Sequence, residues 1–176
     1  MVIVNGALWN MGENCSAISR LIVHRDIKAP LLDKIKALAD EWLVGDPLDP
    51  ANHIGPLVSQ QHYEKVSAYL SGDIDVVYGG KTSGERYVHP TIVDVESNDV
   101  KHAHEEIFGP VLAVITVDSL EQAIDIANDT DYGLAASVFA GNGKRAMRAA
   151  RAIRTGTVTV NSFGKGDITT PFGGFK

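Results

Sequence analysis

Short apolar segments of strand length alternate with helical segments along the whole chain. Residues 19–24 contain the continuous apolar run Leu21, Ile22 and Val23, which is typical of a buried strand. The next segment, residues 30–43, places apolar side chains at helical spacing, with Pro30 near its first turn. The alternation predicts an α/β fold with a largely parallel sheet flanked by helices.

The same patterns predict the remaining elements. We expect helices at 60–70, at 119–129 with Ser119 as N-cap, and at 141–156 closed by Gly156. Strands or extended segments are expected at 1–8, 73–80, 84–95, 109–117, 132–140 and 157–161. Residues 45–56, with three prolines and two glycines, and the glycine-rich residues 162–176 are predicted to be loops.

Composition and charge exclude several classes of partner. The 176 residues are 44% hydrophobic and 22% charged, as in one globular domain that buries a core. The net charge of −6 and the absence of long basic runs speak against nucleic acid and anionic membranes. No apolar run has the length of a membrane span, and no signal peptide is recognisable. We therefore expect a soluble, cytoplasmic protein with a small-molecule partner.

The only cysteine, Cys15, lies in a small and polar stretch, "GENCS". A single cysteine cannot form an internal disulfide, which fits a reducing compartment and leaves a free thiol. Cys15 follows a glycine-containing turn and precedes a strand, where a thiol and its own N–H can both face a substrate. A buried thiol without a chemical task fits the residues equally well, because free cysteines are often buried.

Two other stretches combine small or polar residues with aromatic ones. In "EEIFGPV", residues 105–111, two carboxylates and Phe108 precede a strand, and a solvated acidic turn would explain them. In "TTPFGGFK", residues 169–176, the glycines could let backbone approach a ligand or could simply form a surface loop.

Together and in this order, these stretches resemble the aldehyde dehydrogenase superfamily. "NMGENCSAISR" is similar to the family's cysteine signature, with Gly12, Glu13 and Cys15 at its core positions and Glu13 the less common alternative. "EEIFGPV" is similar to the family's cofactor-contact motif, and "NDTDYGLAASVF", "GTVTVN" and "PFGGFK" match later family segments. The resemblance covers essentially the whole chain.

The resemblance implies a role for each candidate residue. Cys15 would attack an aldehyde to give a thiohemiacetal, and after hydride transfer the thioester would be hydrolysed to a carboxylate. The Cys15 N–H would contribute to the oxyanion hole, Glu106 would bind the nicotinamide ribose, and Phe108 would lie beside the nicotinamide. The remaining implied positions line the substrate tunnel or lie near the active site: Trp9, Asn14, Ser16, Asn161, Phe172 and the loop 162–170.

The resemblance also implies parts that these 176 residues do not contain. They are the glycine-rich dinucleotide segment, the adenosine-ribose lysine, the oxyanion-hole asparagine, the glutamate general base and the C-terminal assembly strand. We therefore interpret 1–176 as a partial catalytic domain whose full-length parent binds NAD or NADP. Because a general base contributes about 10² to 10⁴ in rate and Glu13 is not expected to replace it, we expect no dehydrogenase activity from this chain alone, and no cofactor binding.

Other interpretations stay open. The chain could be a non-catalytic interaction or oligomerisation fragment that self-associates through an exposed domain face. It could also retain thiol esterase activity, because acylation of Cys15 needs no cofactor. Within the family, the motifs look most like dehydrogenases of γ-aminobutyraldehyde and γ-glutamyl-γ-aminobutyraldehyde, in which Asp167 could face either a cationic amine or water.

Two charged clusters are interpreted as structural. His102 and His104 lie beside two glutamates, but no third well-spaced ligand set accompanies them, so we predict solvated residues and no metal site. A basic helix face is interpreted as facing solvent or another subunit, since its pattern differs from a phosphate-binding loop. Its residues are Lys144, Arg145, Arg148, Arg151 and Arg154.

Overall fold

A four-stranded sheet forms the centre of the fold in the computed structural model, which describes residues 2–164 and 166–176. The strands are β1 Arg20–His24, β2 Asp75–Tyr78, β3 Thr82–Ser83, β4 Tyr87–Val88, β5 Thr91–Val95, β6 Val111–Val117, β7 Ala135–Val138 and β8 Thr157–Val160. The helices are α1 Val2–Leu8, α2 Arg25–Ala39, α3 Gln60–Tyr69, α4 Lys101–His104, α5 Leu120–Asn128 and α6 Gly143–Ala152.

The central sheet has the order β1-β6-β5-β2 and is largely parallel, as predicted. β6 is parallel to both of its neighbours, and β2 is antiparallel to β5 at one edge. β6 can take the central position because its sequence, "VLAVITV", is apolar almost throughout and is buried on both faces.

The two faces of the sheet are covered by different helices. Leu112 and Val114 of β6 pack in one cluster with side chains of α1 and α2. Val111 and Ala113, which alternate with them, pack in a second cluster with Val66 of α3. The result is a three-layer α/β arrangement in which the segments before the three parallel strands β1, β5 and β6 emerge at one edge.

The predicted strand at 1–8 is wrong, because Val2–Leu8 forms α1. Val4, Ala7 and Leu8 are its buried apolar side chains, and that spacing is helical rather than alternating. Met1 lies outside the described residues. The α2 start is also corrected: α2 begins at Arg25, with Pro30 inside it, because the His24 side chain caps the helix by accepting from Asp26 N–H.

A second, two-stranded parallel sheet pairs β7 with β8, and α6 packs against it. The predicted end of α6 at Gly156 is wrong, because the backbone is already extended at Ile153 and Gly156 N–H donates to Gly133. Arg154 therefore lies beyond the helix, where its guanidinium and backbone N–H donate to Asn128. The other members of the basic cluster remain on α6.

His102 is not solvated as predicted. It is buried on α4, and its Nε2 lies 2.6 Å from the backbone oxygen of Tyr69. His104 is exposed. Within residues 2–164 and 166–176, no three His, Cys, Asp or Glu side chains come together as a possible metal site. In the same residues, no helix combines the length and apolar character that crossing a bilayer requires.

Candidate active site

Two segments meet at the amino-terminal edge of the central sheet. The thiol loop, residues 10–16, leads into β1, and the Phe108 turn, residues 105–110, leads into β6. β1 and β6 are adjacent and parallel, with Arg20 opposite Ala113. The segments that precede parallel neighbours emerge at the same edge, so the topology brings the thiol loop to the Phe108 turn.

The thiol loop begins with three consecutive residues in the left-handed region. Asn10, Met11 and Gly12 have φ values of 52°, 57° and 70°. Asparagine and glycine tolerate this conformation, whereas a methionine there is strained by roughly 1–2 kcal/mol. Hydrogen bonds between Asn10 and Glu13 close the turn, from Asn10 Nδ2 to the Glu13 oxygen at 2.8 Å and from Glu13 N–H to the Asn10 oxygen at 2.9 Å.

Gly12 brings the thiol loop into direct backbone contact with the Phe108 turn. A Cβ atom at position 12 would overlap the carbonyl oxygen and carbon of Gly109. Gly12 therefore meets two requirements at once, a positive φ and a close approach of two backbones.

Cys15 lies in the turn that follows and is exposed. The turn is closed by Asn14, whose backbone oxygen accepts from Ala17 N–H at 2.9 Å and whose Oδ1 lies 3.4 Å from Ser16 N. Among the described residues, no protein oxygen accepts a hydrogen bond from the Cys15 N–H. Of the two interpretations left open by the sequence, the structure thus has the exposed thiol, and the Cys15 N–H is available as a donor.

The Glu13 carboxylate is largely buried and bound by other parts of the protein. Its side chain is only 9% exposed, and its Oε1 accepts a hydrogen bond from Val58 N–H at 3.0 Å. The same oxygen lies 3.4 Å from Nε2 of His62, whose side chain is 15% exposed. These contacts of the Glu13 carboxylate attach the thiol loop to the segment at Val58 and to α3.

His62 joins this arrangement to Phe108. His62 Nε2 lies 2.7 Å from the backbone oxygen of Phe108, and the two rings pack edge to face with centroids 6.2 Å apart. Phe108 itself is left-handed, with φ of 60°. Ser59 caps α3 by accepting from His62 N–H at 3.1 Å and so fixes the helix turn that presents the imidazole.

Glu106 has a fixed backbone and an exposed side chain. Its N–H donates to the hydroxyl of Tyr132 at 3.2 Å, and its carbonyl oxygen accepts from Lys65 Nζ at 2.9 Å. The side chain faces solvent beside the half-buried Phe108. An exposed carboxylate next to an aromatic ring can bind a ligand that has hydroxyl donors and a flat ring.

The adjacent Glu105 is held by the hydroxyl of Tyr69, which donates to its carboxylate. Burial, with the hydrogen bond and the negative charge of Glu105 adding to it, raises the pKa of Tyr69 to about 12. The tyrosine therefore remains a neutral donor at all moderately alkaline pH values, and it anchors the start of the Phe108 turn to α3.

The proposed tunnel residues fall into two groups. Trp9, Asn14 and Ser16 flank or belong to the thiol loop, and Trp9 is 57% exposed. Phe172 is 61% exposed in the C-terminal segment, where Phe175 N–H donates to Gly133 near β7. Lys165, within the predicted tunnel loop 162–170, lies outside the described residues.

Asn161 has a structural position at the end of β8. Its Oδ1 accepts from Ala140 N–H at 2.9 Å and its Nδ2 donates to the Ala140 oxygen at 3.1 Å. These two bonds continue the hydrogen bonding between β7 and β8 by one more residue pair. The φ of Asn161 is 50°, a value that asparagine tolerates better than most residues.

Comparison with known proteins assigns the family. The chain belongs to the aldehyde dehydrogenase family, whose model matches residues 1–176. It is 53% identical over 178 residues to the aminoacetaldehyde dehydrogenase of Pseudomonas aeruginosa, covering 99% of this chain and 36% of that protein. The chain thus spans about 36% of the length of the curated relatives it matches.

Solved structures agree with this assignment. The γ-glutamyl-γ-aminobutyraldehyde dehydrogenase of Burkholderia cenocepacia is 44% identical with a TM-score of 0.95, covering 99% of this chain and 37% of that one. The indole-3-acetaldehyde dehydrogenase of P. syringae, solved with NAD+ and IAA, is 45% identical with a TM-score of 0.95 and the same coverage. The resemblance seen in the motifs and the predicted fold class are confirmed.

Sequence reasoning missed His62, Lys65 and Tyr69. All three lie on α3, and each contacts the Phe108 turn through a side-chain hydrogen bond across many residues of sequence. They are the third, sixth and tenth residues of α3 and so lie along one side of the helix. This spacing is the one feature of the local sequence that relates them.

We expect Gly12→Ala to lower the free energy of unfolding by about 1–3 kcal/mol, since the methyl group would clash with Gly109 and strain a left-handed backbone. Urea denaturation followed by circular dichroism measures this. Gly141→Ala is the matched control, because a Cβ there meets nothing within 4 Å, and it should change stability by less than about 0.5 kcal/mol. Equal effects of the two substitutions would contradict the close contact.

The free energy of unfolding should fall as pH rises from about 10 to about 12. Folded Tyr69 keeps its proton up to about 12, whereas its ordinary pKa is 10.0, so unfolding releases a proton in that window. Tyr69→Phe should make the fall shallower in urea titrations at each pH. Tyr87→Phe should leave the fall unchanged, because the Tyr87 hydroxyl makes no hydrogen bond among the described residues. A fall of the same slope in the Tyr69 variant would refute the assignment.

Proposed function

We propose that residues 1–176 form the cysteine-bearing part of the catalytic domain of an NAD(P)-dependent aldehyde dehydrogenase, with Cys15 as the nucleophile. The observation that carries this proposal is the exposed thiol on a hydrogen-bonded loop packed against the Phe108 turn. Membership of the family supports it, and the activity belongs to the longer proteins that the family comprises.

The proposed chemistry starts with two groups of Cys15, its sulfur and its backbone N–H. The Cys15 sulfur adds to the aldehyde carbonyl carbon, and the carbonyl oxygen becomes an oxyanion that the Cys15 N–H can stabilise. When bound, the nicotinamide cofactor would supply the acceptor for the hydride that leaves this carbon. Water then attacks the resulting thioester, the carbon–sulfur bond breaks, and the products are a carboxylate and the free thiol.

The residues at the Phe108 turn fit a nicotinamide dinucleotide. Glu106 offers an exposed carboxylate for ribose hydroxyl groups, and Phe108 offers a ring for the nicotinamide. Lys65 and Tyr132 hold the Glu106 backbone and thereby orient this pair. The choice between NAD and NADP stays open, and we expect the 176-residue chain alone to bind neither strongly.

An amino aldehyde is the proposed substrate class, in a tunnel bordered by Trp9, Asn14, Ser16 and Phe172. Two relatives are named for aldehydes of this type, aminoacetaldehyde and γ-glutamyl-γ-aminobutyraldehyde. Asp167 supplies a negative charge near the C-terminal segment, because hydrogen bonds from the Thr169 hydroxyl and N–H lower its pKa. Its carboxylate is exposed, so this charge could attract an ammonium group or simply face water.

Thiol esterase activity is a second candidate for the chain by itself, and the exposure of Cys15 favours it. Acyl transfer from an activated ester requires a nucleophile and an oxyanion donor but no hydride acceptor. Turnover with NAD requires a general base and a complete cofactor site, for which no motif was found, so none is expected of this chain. We propose the cytoplasm as its compartment, where a lone cysteine stays reduced.

The first experiment is acylation of the 176-residue chain by p-nitrophenyl acetate, with intact-mass detection. We expect a burst of one p-nitrophenolate per chain and an acetyl group on Cys15, with an amino aldehyde slowing the burst by occupying the thiol. Cys15→Ser should lower the acylation rate by about 10³-fold or more. Ser83→Ala, at an exposed position on β3 and outside the proposed site, is the control. Acetylation elsewhere, or a chain that does not react, would refute the nucleophile.

We also propose that the chain self-associates through exposed apolar side chains, among them Trp9 and Phe172. In sedimentation equilibrium, the mean mass should rise above 18.9 kDa as the concentration increases. Trp9→Ser should weaken this association. Leu48→Ser is the control, because Leu48 is 89% exposed on a polar loop, and it should have a smaller effect. A monomeric mass at every concentration would exclude self-association.

A further inference from the structure

We propose that His62 is a positioning residue that couples the thiol loop to the Phe108 turn. It thereby holds the nucleophile and the cofactor-contact residue in a fixed position relative to each other. This inference rests on the proposed function of Cys15 and Phe108. The coupling itself is a matter of contacts: His62 lies between Glu13 of the thiol loop and the backbone of Phe108.

The hydrogen-bond partner of His62 fixes which ring nitrogen carries a proton. A carbonyl oxygen can only accept, so His62 Nε2 carries a proton and donates it to the Phe108 oxygen at 2.7 Å. Glu13 Oε1 lies 3.4 Å from the same nitrogen, a close polar contact beside this hydrogen bond. The His62 N–H group therefore donates to the Phe108 turn and also lies against the thiol loop.

The contacts continue on both sides of this pair. Glu13 accepts from Val58 N–H, and the Arg86 guanidinium donates to the backbone oxygens of Leu57 and Val58, so the acceptor carboxylate is itself anchored. On the other side, Phe108 has a positive φ that a side chain adopts at a cost, and the His62 bond holds it there. The Glu13 and His62 side chains are largely shielded from water, so solvent cannot easily replace these bonds.

Helix formation does not require a histidine at this position. α3 buries Val66 and Tyr69 on its core side, and Ser59 caps the helix whatever side chain follows at position 62. The property that His62 contributes is a donor of fixed reach toward the Phe108 oxygen. Glutamine has an amide N–H of similar reach, whereas leucine has the bulk without the donor.

Hydrogen exchange with mass spectrometry on the 176-residue chain tests the coupling. We expect His62→Leu to speed exchange about tenfold in peptides covering both 10–16 and 105–110, with β6 unchanged, because one partly buried hydrogen bond is lost where the two segments meet. His62→Gln should restore slow exchange in both segments. Gln61→Leu, on the exposed side of α3, is the control and should match the unmodified chain.

The reciprocal variant is Glu13→Ala, which is expected to speed exchange in 105–110 although the substitution lies in the thiol loop. If His62→Leu also speeds exchange in β6, the exchange of 105–110 in Glu13→Ala decides whether the two segments are coupled. The proposal is overturned if Glu13→Ala leaves 105–110 unchanged, or if His62→Gln behaves like His62→Leu.

Acylation of Cys15 by p-nitrophenyl acetate separates this inference from the proposed function. The rate should fall about tenfold in His62→Leu and recover in His62→Gln, because attack depends on how precisely the thiol and its N–H are placed. If exchange in the two segments is coupled but Cys15 cannot be acylated, the positioning role of His62 stands and the proposed nucleophile is refuted. If acylation is normal but exchange is not coupled, the proposed nucleophile stands and the positioning role is refuted.

Discussion

The backbone contact between Gly12 and Gly109 is the constraint on which the site depends. It brings two segments that are far apart in sequence to a separation that only glycine permits at position 12, and it does so where φ is positive. Cys15 follows three residues later and Phe108 immediately precedes Gly109, so this single contact sets where both lie. The left-handed conformations of Met11 and Phe108 are costs that the surrounding hydrogen bonds must offset.

The position of the site follows from the order of the strands. β1 and β6 are parallel neighbours although many residues separate them, and the segments that lead into them meet at their amino ends. Open α/β sheets usually bind ligands at the carboxyl ends of strands, where loops after the strands converge. Here the loops before the strands converge, and α3 approaches from the second face of the sheet to support them.

The alternation of short apolar runs and helical segments was enough to predict a largely parallel α/β sheet. It failed where a tertiary contact decided the structure: residues 2–8 are apolar enough for a strand, yet Val4, Ala7 and Leu8 fold as a helix to cover one sheet face. Motif spacing located the thiol loop and the Phe108 turn. It could not reveal His62, because the contact that gives this residue its place depends on how α3 packs, and α3 has no motif of its own.

The contacts of the Glu13 carboxylate limit what it can do in the site. A carboxylate two residues from a nucleophilic thiol could serve as a base, but its Oε1 is bonded to Val58 N–H and faces His62, and the side chain is nearly inaccessible to water. A carboxylate that fixes a loop by these contacts cannot also turn toward a hydrolytic water without releasing the loop. In the proposed mechanism, hydrolysis of the thioester would therefore depend on a base other than Glu13, whose carboxylate is engaged in fixing the thiol loop.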